Sequence, residues 1–368
     1  MSRKICFVSL GATSFFFKNK QITYIGGAEL KQVLIGRELT KQGYDISFII
    51  YDIKGERKND LDKIILIGSF PQTKNLSLVR KAMNLWKSLK KANSEIYIQS
   101  GGTPGTVALY CLVTGKRYVK WLASDRNVHL TGVDNKTSLM MKIAMYFDIK
   151  FAHLIIAQNT YQKKIIEKKF QKSCVLIKNP VPGQKTKINS KKDKKTVLWV
   201  GTIRSIKQPE VFLEVAKKLP EYSFVMIGGS SDTEPDLYDQ IKKGTQKIPN
   251  LEFLGFIPYH EMKKYYAESC IVVNTSKIEG FPNIFLEAWI NYTPVVSLNV
   301  DPDEIICKYN LGFHSKTFDK MIQDITTLLR DESLRKKLGK SSADYVKKEH
   351  NINNITKNFV SMFEKYFS

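Results

Sequence analysis

Short apolar runs rich in β-branched residues alternate along the first half of the chain with longer segments that repeat at helical spacing. Short runs of this kind are typical of buried parallel strands, and the amphipathic segments between them are typical of crossover helices. The pattern predicts strands at 4–10, 45–51, 63–67, 95–98, 118–122 and 153–157, and helices at 27–40, 76–92 and 161–170. This alternation indicates a doubly wound α/β domain.

The same alternation restarts after a polar run. Residues 184–195 carry seven charged side chains and no pair of large apolar residues, so we interpret them as an interdomain linker. Beyond them the pattern predicts strands at 196–200, 223–227, 251–254, 271–274 and 294–298, helices at 209–218, 236–243, 260–268 and 283–290, two helices within 318–349, and an amphipathic segment at 352–366. A chain of 368 residues suits two domains, which we expect at 1–183 and 196–351.

The strongest chemical signal is the segment Ser-Lys-Ile-Glu-Gly-Phe-Pro-Asn-Ile-Phe-Leu-Glu-Ala at 276–288. Gly280 and Pro282 end the preceding strand, and a helix follows. A strand-to-helix turn of this kind presents backbone N–H groups and the positive end of a helix dipole, which together bind phosphate. Glu279 precedes the turn and Glu287 lies about one turn inside the helix, so one carboxylate could face a sugar and the other ribose hydroxyls. The simpler alternative is an ordinary βα unit with two solvated glutamates.

The arrangement of Glu279 and Glu287 around Gly-Phe-Pro-Asn resembles the donor-binding motif of retaining glycosyltransferase family 4, within glycosyl transferases group 1. That resemblance implies the α/β GT-B fold, in which two Rossmann-like doubly wound domains face a central cleft. The first domain binds the acceptor and the second binds the nucleotide-sugar donor. It also implies that a C-terminal helix, here 352–368, packs back onto the first domain.

The resemblance assigns roles to residues by position. The matching Arg204 and Lys207 would clamp the donor diphosphate, where fixed cations stabilise the charge that develops as the glycosidic bond breaks. Two solvated loop cations are the alternative. The implied donor-binding residues are Gly26, Gly27, Arg204, Lys207, Phe256, Ile257, Glu279, Gly280, Phe281, Pro282, Asn283, Ile284 and Glu287.

The chain departs from many relatives at the end of the 118–122 strand. Those relatives place a histidine there, whereas this sequence has Ser124 and Asp125, and His129 is a weaker candidate four residues further on. The expected catalytic residues are therefore Glu279, Asp125, Arg204 and Lys207. The family's retaining chemistry proceeds by front-face attack, with the leaving phosphate taking the acceptor proton. It needs no cofactor and no obligatory metal, and we interpret the Asp301-Pro302-Asp303 sequence as a solvated turn.

The net charge of +23 indicates a polyanionic partner or, equally, a solvated lysine-rich surface. Phe15, Phe16 and Phe17, followed by Lys18 and Lys20, resemble an interfacial membrane anchor. The alternative is that these rings pack inside the first domain. The expected partners are a nucleotide-sugar donor and a saccharide or lipid-linked acceptor; an anionic membrane surface remains an open alternative, and no nucleic acid is expected.

Five scattered cysteines form no pair or cluster with the spacing of a disulfide framework or a zinc site. The first residues do not read as a signal peptide, and no apolar run is long enough to span a bilayer. We therefore expect a cytoplasmic protein, with attachment to the inner face of the plasma membrane left open.

The leading hypothesis is a metal-independent, retaining glycosyltransferase of hexosyltransferase type. It would use a UDP- or GDP-sugar in bacterial surface polysaccharide or glycolipid synthesis. The alternative, motivated by charge alone, is a basic nucleic-acid-binding α/β protein without transferase activity; the two glutamates would have no purpose in it. A GT-B epimerase or phosphorylase is disfavoured by the same glutamate spacing.

Overall fold

A computed structural model of the chain describes residues 3–18, 26–53, 56–57, 63–72, 76–129, 139–182, 196–231 and 233–367. Within these ranges the chain forms two compact units. The first contains the residues before 183 together with those after 351, and the second contains residues 196–351. The predicted linker at 184–195 lies outside the described residues.

The first unit contains a parallel sheet with crossover helices. Its strands are β1 Lys4–Val8, β2 Phe17–Lys18, β3 Asp45–Ile50, β4 Glu56–Arg57, β5 Ile65–Gly68, β6 Ile96–Gln99, β7 Arg117–Trp121, β8 Leu154–Ala157 and β9 Cys174–Leu176. Its helices are α1 Thr13–Phe16, α2 Gly27–Lys41, α3 Leu78–Ala92, α4 Thr106–Thr114, α5 Leu139–Phe151 and α6 Thr160–Phe170. Seven of these strands form the sheet, in the order β5-β3-β1-β6-β7-β8-β9.

The second unit repeats this architecture. Its strands are β10 Thr196–Val200, β11 Ser223–Ile227, β12 Leu251–Phe253, β13 Ile271–Asn274, β14 Val295–Ser297 and β15 Gly312–His314. Its helices are α7 Pro209–Lys218, α8 Pro235–Thr245, α9 Met262–Glu268, α10 Asn283–Ile290, α11 Ile305–Lys308, α12 Phe318–Arg330 and α13 Glu332–Glu349. The sheet order β12-β11-β10-β13-β14-β15, with every neighbouring pair parallel, is the doubly wound order of a Rossmann domain.

The C-terminal helix α14, Ile352–Phe367, packs against α2 of the first unit. Its Phe359 ring lies 5.2 Å from the Trp121 ring, and Arg3 Nη1 donates a hydrogen bond to the Phe363 carbonyl oxygen at 3.1 Å. The amphipathic pattern of this segment explains the contact, because its buried residues lie on one helical face.

Most predicted elements agree with the structure within a few residues, and β10, β11, β13, α7 and α10 have the bounds that the pattern predicts. The sequence pattern did not predict α4 and α5, whose apolar residues spread over more than one face. The predicted strand at 63–67 was wrong at its start, because Lys63 has φ of 79° and so cannot continue a strand.

The proposed aromatic anchor is not an exposed element. Phe15 and Phe16 are buried, and the Phe16 ring lies 5.1 Å edge-on to Phe48. Phe17 begins the short strand β2, which pairs with β4. The membrane interpretation of these phenylalanines was therefore wrong, because two of the three rings fill the first core. None of the described helices combines the length and apolarity needed to cross a bilayer.

Candidate functional site

The second sheet reverses its strand order between β10 and β13. At such a switch point the two outgoing loops diverge in opposite directions and leave a crevice at the carboxyl ends of the strands, where Rossmann-type sheets bind nucleotides. The loop after β10 carries Arg204 and Lys207, and the loop after β13 carries Glu279. The topology therefore explains why Lys207 and Glu279 come together although they are more than 70 positions apart in the sequence.

Lys207 and Glu279 form an ion pair across this point. The Lys207 ammonium donates to Oε1 of Glu279, and the two side chains are 27% and 16% exposed. Ser276 Oγ donates to the same Oε1 atom at 2.8 Å, and Asn274 Nδ2 donates to Ser276 Oγ at 3.1 Å. Glu279 is thus held by a cation and a hydroxyl. Sequence reasoning had given Ser276 no role, although it begins the segment that carried the signal.

Buried hydrogen bonds join the two loops behind this pair. Thr275 Oγ1 donates to the Lys207 carbonyl oxygen at 2.6 Å and accepts from Trp199 Nε1 at 2.9 Å. The Lys277 N–H donates to the Ile206 carbonyl oxygen at 2.9 Å. Since Trp199 is buried in the core of the second unit, these bonds connect the two loops to the sheet and so fix the position of the ion pair.

Arg204 lies at the start of a 3₁₀ turn and beside a different carboxylate. Its Nε atom is 3.9 Å from Glu234 Oε1, while Glu234 Oε2 accepts the Ser205 N–H at 2.8 Å. Glu234 precedes α8 and no sequence signal singled it out. An anion that binds Arg204 would therefore have to displace the Glu234 carboxylate or share the guanidinium group with it.

Glu287 lies in the second turn of α10, in surroundings unlike those of Glu279. Burial raises its pKa to about 7, and an interaction with the Tyr266 hydroxyl opposes part of that rise. Tyr259 and Tyr266 also feel the Glu287 charge, which adds to the burial that raises the pKa of both phenols. A carboxyl group whose pKa is about 7 can either accept or donate hydrogen bonds. Such a group beside two tyrosines suits the recognition of hydroxyl groups.

The turn between the two glutamates leads into α10 without a side-chain cap at Pro282. Asn283 and Ile284 form the first turn and are partly exposed, whereas the Phe281 ring is buried 5.1 Å from the His350 ring. Of the predicted donor-binding residues here, Phe281 can offer only its backbone, because its ring is part of the interior. Gly280 is also buried.

Three glycine-containing strand ends meet on the other side of the switch point. A Cβ atom on Gly228 would lie 2.1 Å from the Gly201 carbonyl oxygen, so only glycine fits there. The Gly228 N–H donates to the Gly255 carbonyl oxygen at 2.8 Å, and Gly255 has φ of 65°. Phe256 and Ile257 follow directly and are partly exposed, which positions them at the carboxyl edge of the sheet.

In the first unit, Gly26 and Gly27 begin α2, and the Glu29 carboxylate occupies the space beside them. A Cβ atom on Gly26 would lie 1.9 Å from Glu29 Oε2, and one on Gly11 would lie 3.0 Å from Glu29 Oε1. Burial raises the pKa of Glu29, while its own backbone N–H and Lys31 favour the charged form. The Glu29 carboxylate therefore fills the space beside Gly26, at the point where the sequence suggested a phosphate contact.

Asp125 lies in the 3₁₀ turn after β7, where two amides hold it. Its Oδ1 atom accepts from Asn159 Nδ2 at 3.0 Å and from Gln162 Nε2 at 2.8 Å, which ties it to the start of α6. Nearby, the buried Lys31 ammonium donates to the Leu122 carbonyl oxygen at 2.8 Å and lies 4.4 Å from the centre of the Trp121 ring. His129 Nε2 is 2.7 Å from the Tyr161 hydroxyl.

No group of three or more His, Cys, Asp or Glu side chains within the described ranges is arranged to hold a metal ion. The acidic side chains named above are instead paired with cations, hydroxyls or amides.

Comparison with known proteins shows which family part of the chain resembles. Residues 182–344 match the family described as glycosyl transferases group 1. An uncharacterized glycosyltransferase of Haemophilus influenzae is 24% identical over 342 residues, covering 87% of this chain and 91% of the relative. The Escherichia coli O-antigen biosynthesis glycosyltransferase WbnH is 33% identical over 130 residues, covering 34% of this chain and 35% of that protein.

Solved structures share the whole fold at low sequence identity. Sucrose-phosphate synthase from Thermosynechococcus elongatus has a TM-score of 0.80 at 15% identity and covers 99% of both chains. Anabaena HepE in complex with UDP-glucose has a TM-score of 0.74 at 13% identity, covering 98% of this chain and 99% of that one. This chain is therefore a glycosyltransferase enzyme with the GT-B fold, and its residues 182–344 match glycosyl transferases group 1.

Proposed function

We propose that this enzyme is a retaining, metal-independent glycosyltransferase that takes a sugar from a UDP- or GDP-sugar. The acceptor would be a saccharide or a lipid-linked saccharide in bacterial surface polysaccharide or glycolipid synthesis. The observation that carries the proposal is the cluster of Lys207, Glu279 and Ser276 at the switch point of the second sheet, with Arg204 on the same loop as Lys207. The similarity to the O-antigen biosynthesis glycosyltransferase WbnH supports the pathway, and the similarity to HepE in complex with UDP-glucose supports the donor class.

The charges at the switch point suit transfer from a diphosphate donor. As the bond between the sugar C1 and the phosphate oxygen breaks, negative charge grows on the departing diphosphate. Fixed cations at Lys207 and Arg204 stabilise that charge more in the transition state than in the ground state. Glu279 forms an ion pair with Lys207 before the donor binds. In this proposal its carboxylate then faces the sugar next to the phosphates.

Retention follows in this proposal from attack on the face that the leaving group vacates. The acceptor hydroxyl oxygen bonds to C1, and its proton passes to an oxygen of the leaving phosphate, so no enzymic nucleophile is needed. Glu287 would hold the ribose hydroxyls, and Asp125 would contact the sugar or the acceptor. Gly26, Gly27, Phe256 and Ile257 would contribute backbone contacts to the donor.

A basic nucleic-acid-binding role is not favoured. The family match covers the segment with Glu279 and Glu287, and these two glutamates have no purpose in nucleic-acid binding. Retention of nucleic acid without any binding of a nucleotide-sugar would reverse this ranking.

The test is a thermal-shift panel of UDP- and GDP-sugars, with Mg²⁺ and with EDTA. A ligand at about 100 times its Kd stabilises by roughly 2.7 kcal/mol, which is readily detected. We expect one nucleotide-sugar to shift the wild type equally in both conditions, and the shift to disappear in Arg204→Ala and Glu287→Ala. Lys217→Ala, which removes an exposed cation on α7, is the matched control and should keep the shift.

Product analysis tests the stereochemistry. The anomeric coupling constant of the new linkage, read by NMR, should match that of the donor. An inverted product would exclude front-face transfer, and a shift that requires Mg²⁺ would exclude metal independence.

A further inference from the structure

Two buried amide side chains at the start of α6 hold one oxygen of the Asp125 carboxylate. Asn159 Nδ2 and Gln162 Nε2 both donate to Asp125 Oδ1, at 3.0 Å and 2.8 Å. Asn159 is 1% exposed and Gln162 is fully buried, whereas Asp125 is half-buried. The carboxylate therefore lies between the interior of the first unit and its surface, and its Oδ1 atom faces the interior.

A backbone group fixes the orientation of each amide. Asn159 Oδ1 accepts the Gln162 N–H at 2.8 Å as the N-cap of α6, and Gln162 Oε1 accepts the Gln158 N–H at 2.9 Å. A backbone N–H can only donate, so the oxygen of each amide has to face that donor. The NH₂ groups are left to face Asp125. Turning either amide around would place two acceptors together and two donors together in the interior.

This arrangement determines how Asp125 can form hydrogen bonds. A carboxylate oxygen has two lone-pair sites, and the two amide donors fill both sites of Oδ1. Oδ1 therefore acts only as an acceptor, because a proton on it would meet an N–H group from each partner. Since the carboxylate is planar and Oδ1 has two fixed partners, the direction of the whole group is fixed as well.

The backbone that leads to Asp125 is held separately. Lys31 of α2 is 1% exposed, and its ammonium donates to the Leu122 carbonyl oxygen at 2.8 Å. In the 3₁₀ turn itself, Asn127 Oδ1 accepts the Ser124 N–H at 2.9 Å. Main chain and side chain thus have independent supports, which is the arrangement that a precisely placed functional group needs.

Few other acids lie on the elements around this carboxylate. Helix α6 packs against the turn that carries Asp125. Its only acid, Glu167, lies 3.7 Å from Lys163 in an exposed ion pair, and the Glu29 carboxylate of α2 lies beside Gly26. The other titratable side chains of α6 and of the turn with its following residue are Tyr161, Lys164, Lys168, Lys169, Arg126 and His129. An acid introduced at position 159 or 162 would therefore titrate mainly against Asp125.

We propose that Asn159 and Gln162 are positioning residues that hold Asp125 as a charged hydrogen-bond acceptor for a hydroxyl group of the substrate. The inference rests on the proposed transferase function, in which Asp125 contacts the sugar or the acceptor. The two amides act through Asp125, since both are buried. A carboxylate held in this way attracts a hydroxyl and repels an anionic group, so the substrate atom that it recognises belongs to a neutral hydroxyl.

The test replaces either amide by the acid of the same shape. Gln162→Glu keeps the acceptor for the Gln158 N–H, and Asn159→Asp keeps the N-cap, which aspartate forms as well as asparagine. In each variant two carboxyl groups face each other and must share one proton, which is lost at high pH. The kcat/KM of each variant, as a fraction of the wild-type value at the same pH, should fall at least about tenfold from pH 6 to pH 9.

The rate is the release of nucleoside diphosphate from the nucleotide-sugar that stabilises the wild type. Gln323→Glu, the same change at an exposed position of α12, is the matched control and should keep a constant fraction of the wild-type kcat/KM. In an Asp125→Asn background, Gln162→Glu should cause no further pH-dependent loss, because no second carboxyl group shares the proton. A merely structural role would change the melting temperature with pH and leave the fraction of kcat/KM constant.

Two outcomes would overturn the proposal. They are a constant fraction of kcat/KM in both acidic variants, and an undiminished pH-dependent loss in the Asp125→Asn background. The nucleotide-sugar thermal shift of each variant at pH 6, where the proton is shared, identifies a folding defect.

A wild type that releases no nucleoside diphosphate would mean that the transferase proposal has failed. The melting temperatures then test the amides alone. Relative to the wild type, those of Gln162→Glu and Asn159→Asp should fall by about 5 °C from pH 6 to pH 9. A constant difference from the wild type over this range would show that the amides do not hold the Asp125 carboxylate.

Discussion

Lys207 and Glu279 belong to two different strand-end loops and form an ion pair at the switch point of the second sheet. Ser276 donates to the same carboxylate oxygen at 2.8 Å. The Lys207 ammonium lies at the edge where Rossmann-type sheets bind phosphates, and the Glu279 carboxylate already contacts it. An incoming diphosphate would therefore share Lys207 with Glu279, and the two residues should have opposite effects on binding.

The Lys207–Glu279 pair predicts a split between binding and catalysis. Lys207→Met removes a charge-assisted hydrogen bond and should weaken UDP binding about 10- to 100-fold. Glu279→Gln removes the competing charge and should leave UDP binding unchanged or tighter, while kcat falls about 100-fold. Calorimetry with UDP and initial rates measure the two effects. Glu214→Gln and Lys217→Met, an exposed pair 2.7 Å apart, are the controls. Equal losses of UDP affinity in both site variants would contradict the assignment.

The pKa of Glu287 predicts a pH-dependent stability. Burial raises this pKa from 4.5 to about 7, so between these values the folded protein holds a proton that the unfolded chain releases. The free energy of unfolding should therefore fall as pH rises through that window. Glu287→Gln should remove this dependence and stabilise the protein above pH 7 by about 1–3 kcal/mol, while weakening donor binding.

Urea unfolding on either side of this window measures the effect. Tyr266→Phe removes the contact that favours the charged form, so the window should extend to higher pH. Glu252→Gln, on an exposed position of β12, is the control and should show the wild-type dependence. A Glu287→Gln variant with unchanged pH dependence would show that another group is responsible.

Two substitutions of Asp125 can separate its structural role from its chemical role. Asp125→Asn keeps an Oδ1 acceptor for Asn159 and Gln162, so the melting temperature should change little. If the charge acts on substrate, kcat/KM should still fall at least about tenfold. Asp125→Ala leaves two buried amides without their acceptor and should cost about 1–3 kcal/mol in addition. A fully active Asp125→Asn would make Asp125 a structural residue only.

Gly228 should be intolerant of any side chain. Its Cβ would lie 2.1 Å from the Gly201 carbonyl oxygen, which belongs to the backbone and cannot rotate away. Gly228→Ala should therefore destabilise by about 1–3 kcal/mol and weaken donor binding by shifting the loop that carries Arg204 and Lys207. Gly101→Ala has no atom within 4 Å of the new Cβ and should stay within about 0.5 kcal/mol of the wild type in chemical denaturation.

Local patterns predicted much of this structure. β10 and β13 are apolar, β-branched runs closed by polar residues, and α7 and α10 follow a loop and begin at Pro209 and Asn283. α4 and α5 escaped prediction because their apolar residues occupy both faces: one packs on the sheet and the other is exposed. A given apolar residue type can occur on an exposed helix face as well as in the core, so the periodicity of the sequence alone cannot distinguish the two faces.

The sequence by itself determined the alternation of strands and helices, the two doubly wound units and the segment with Glu279 and Glu287. These follow from short-range spacing, which decides which side chains share a face. Only the tertiary structure decided that Glu279 meets Lys207, that Arg204 lies beside Glu234, and that Phe16 is buried while Val79 is exposed. Such contacts depend on which strands become neighbours and which helix faces remain uncovered, and both result from long-range packing.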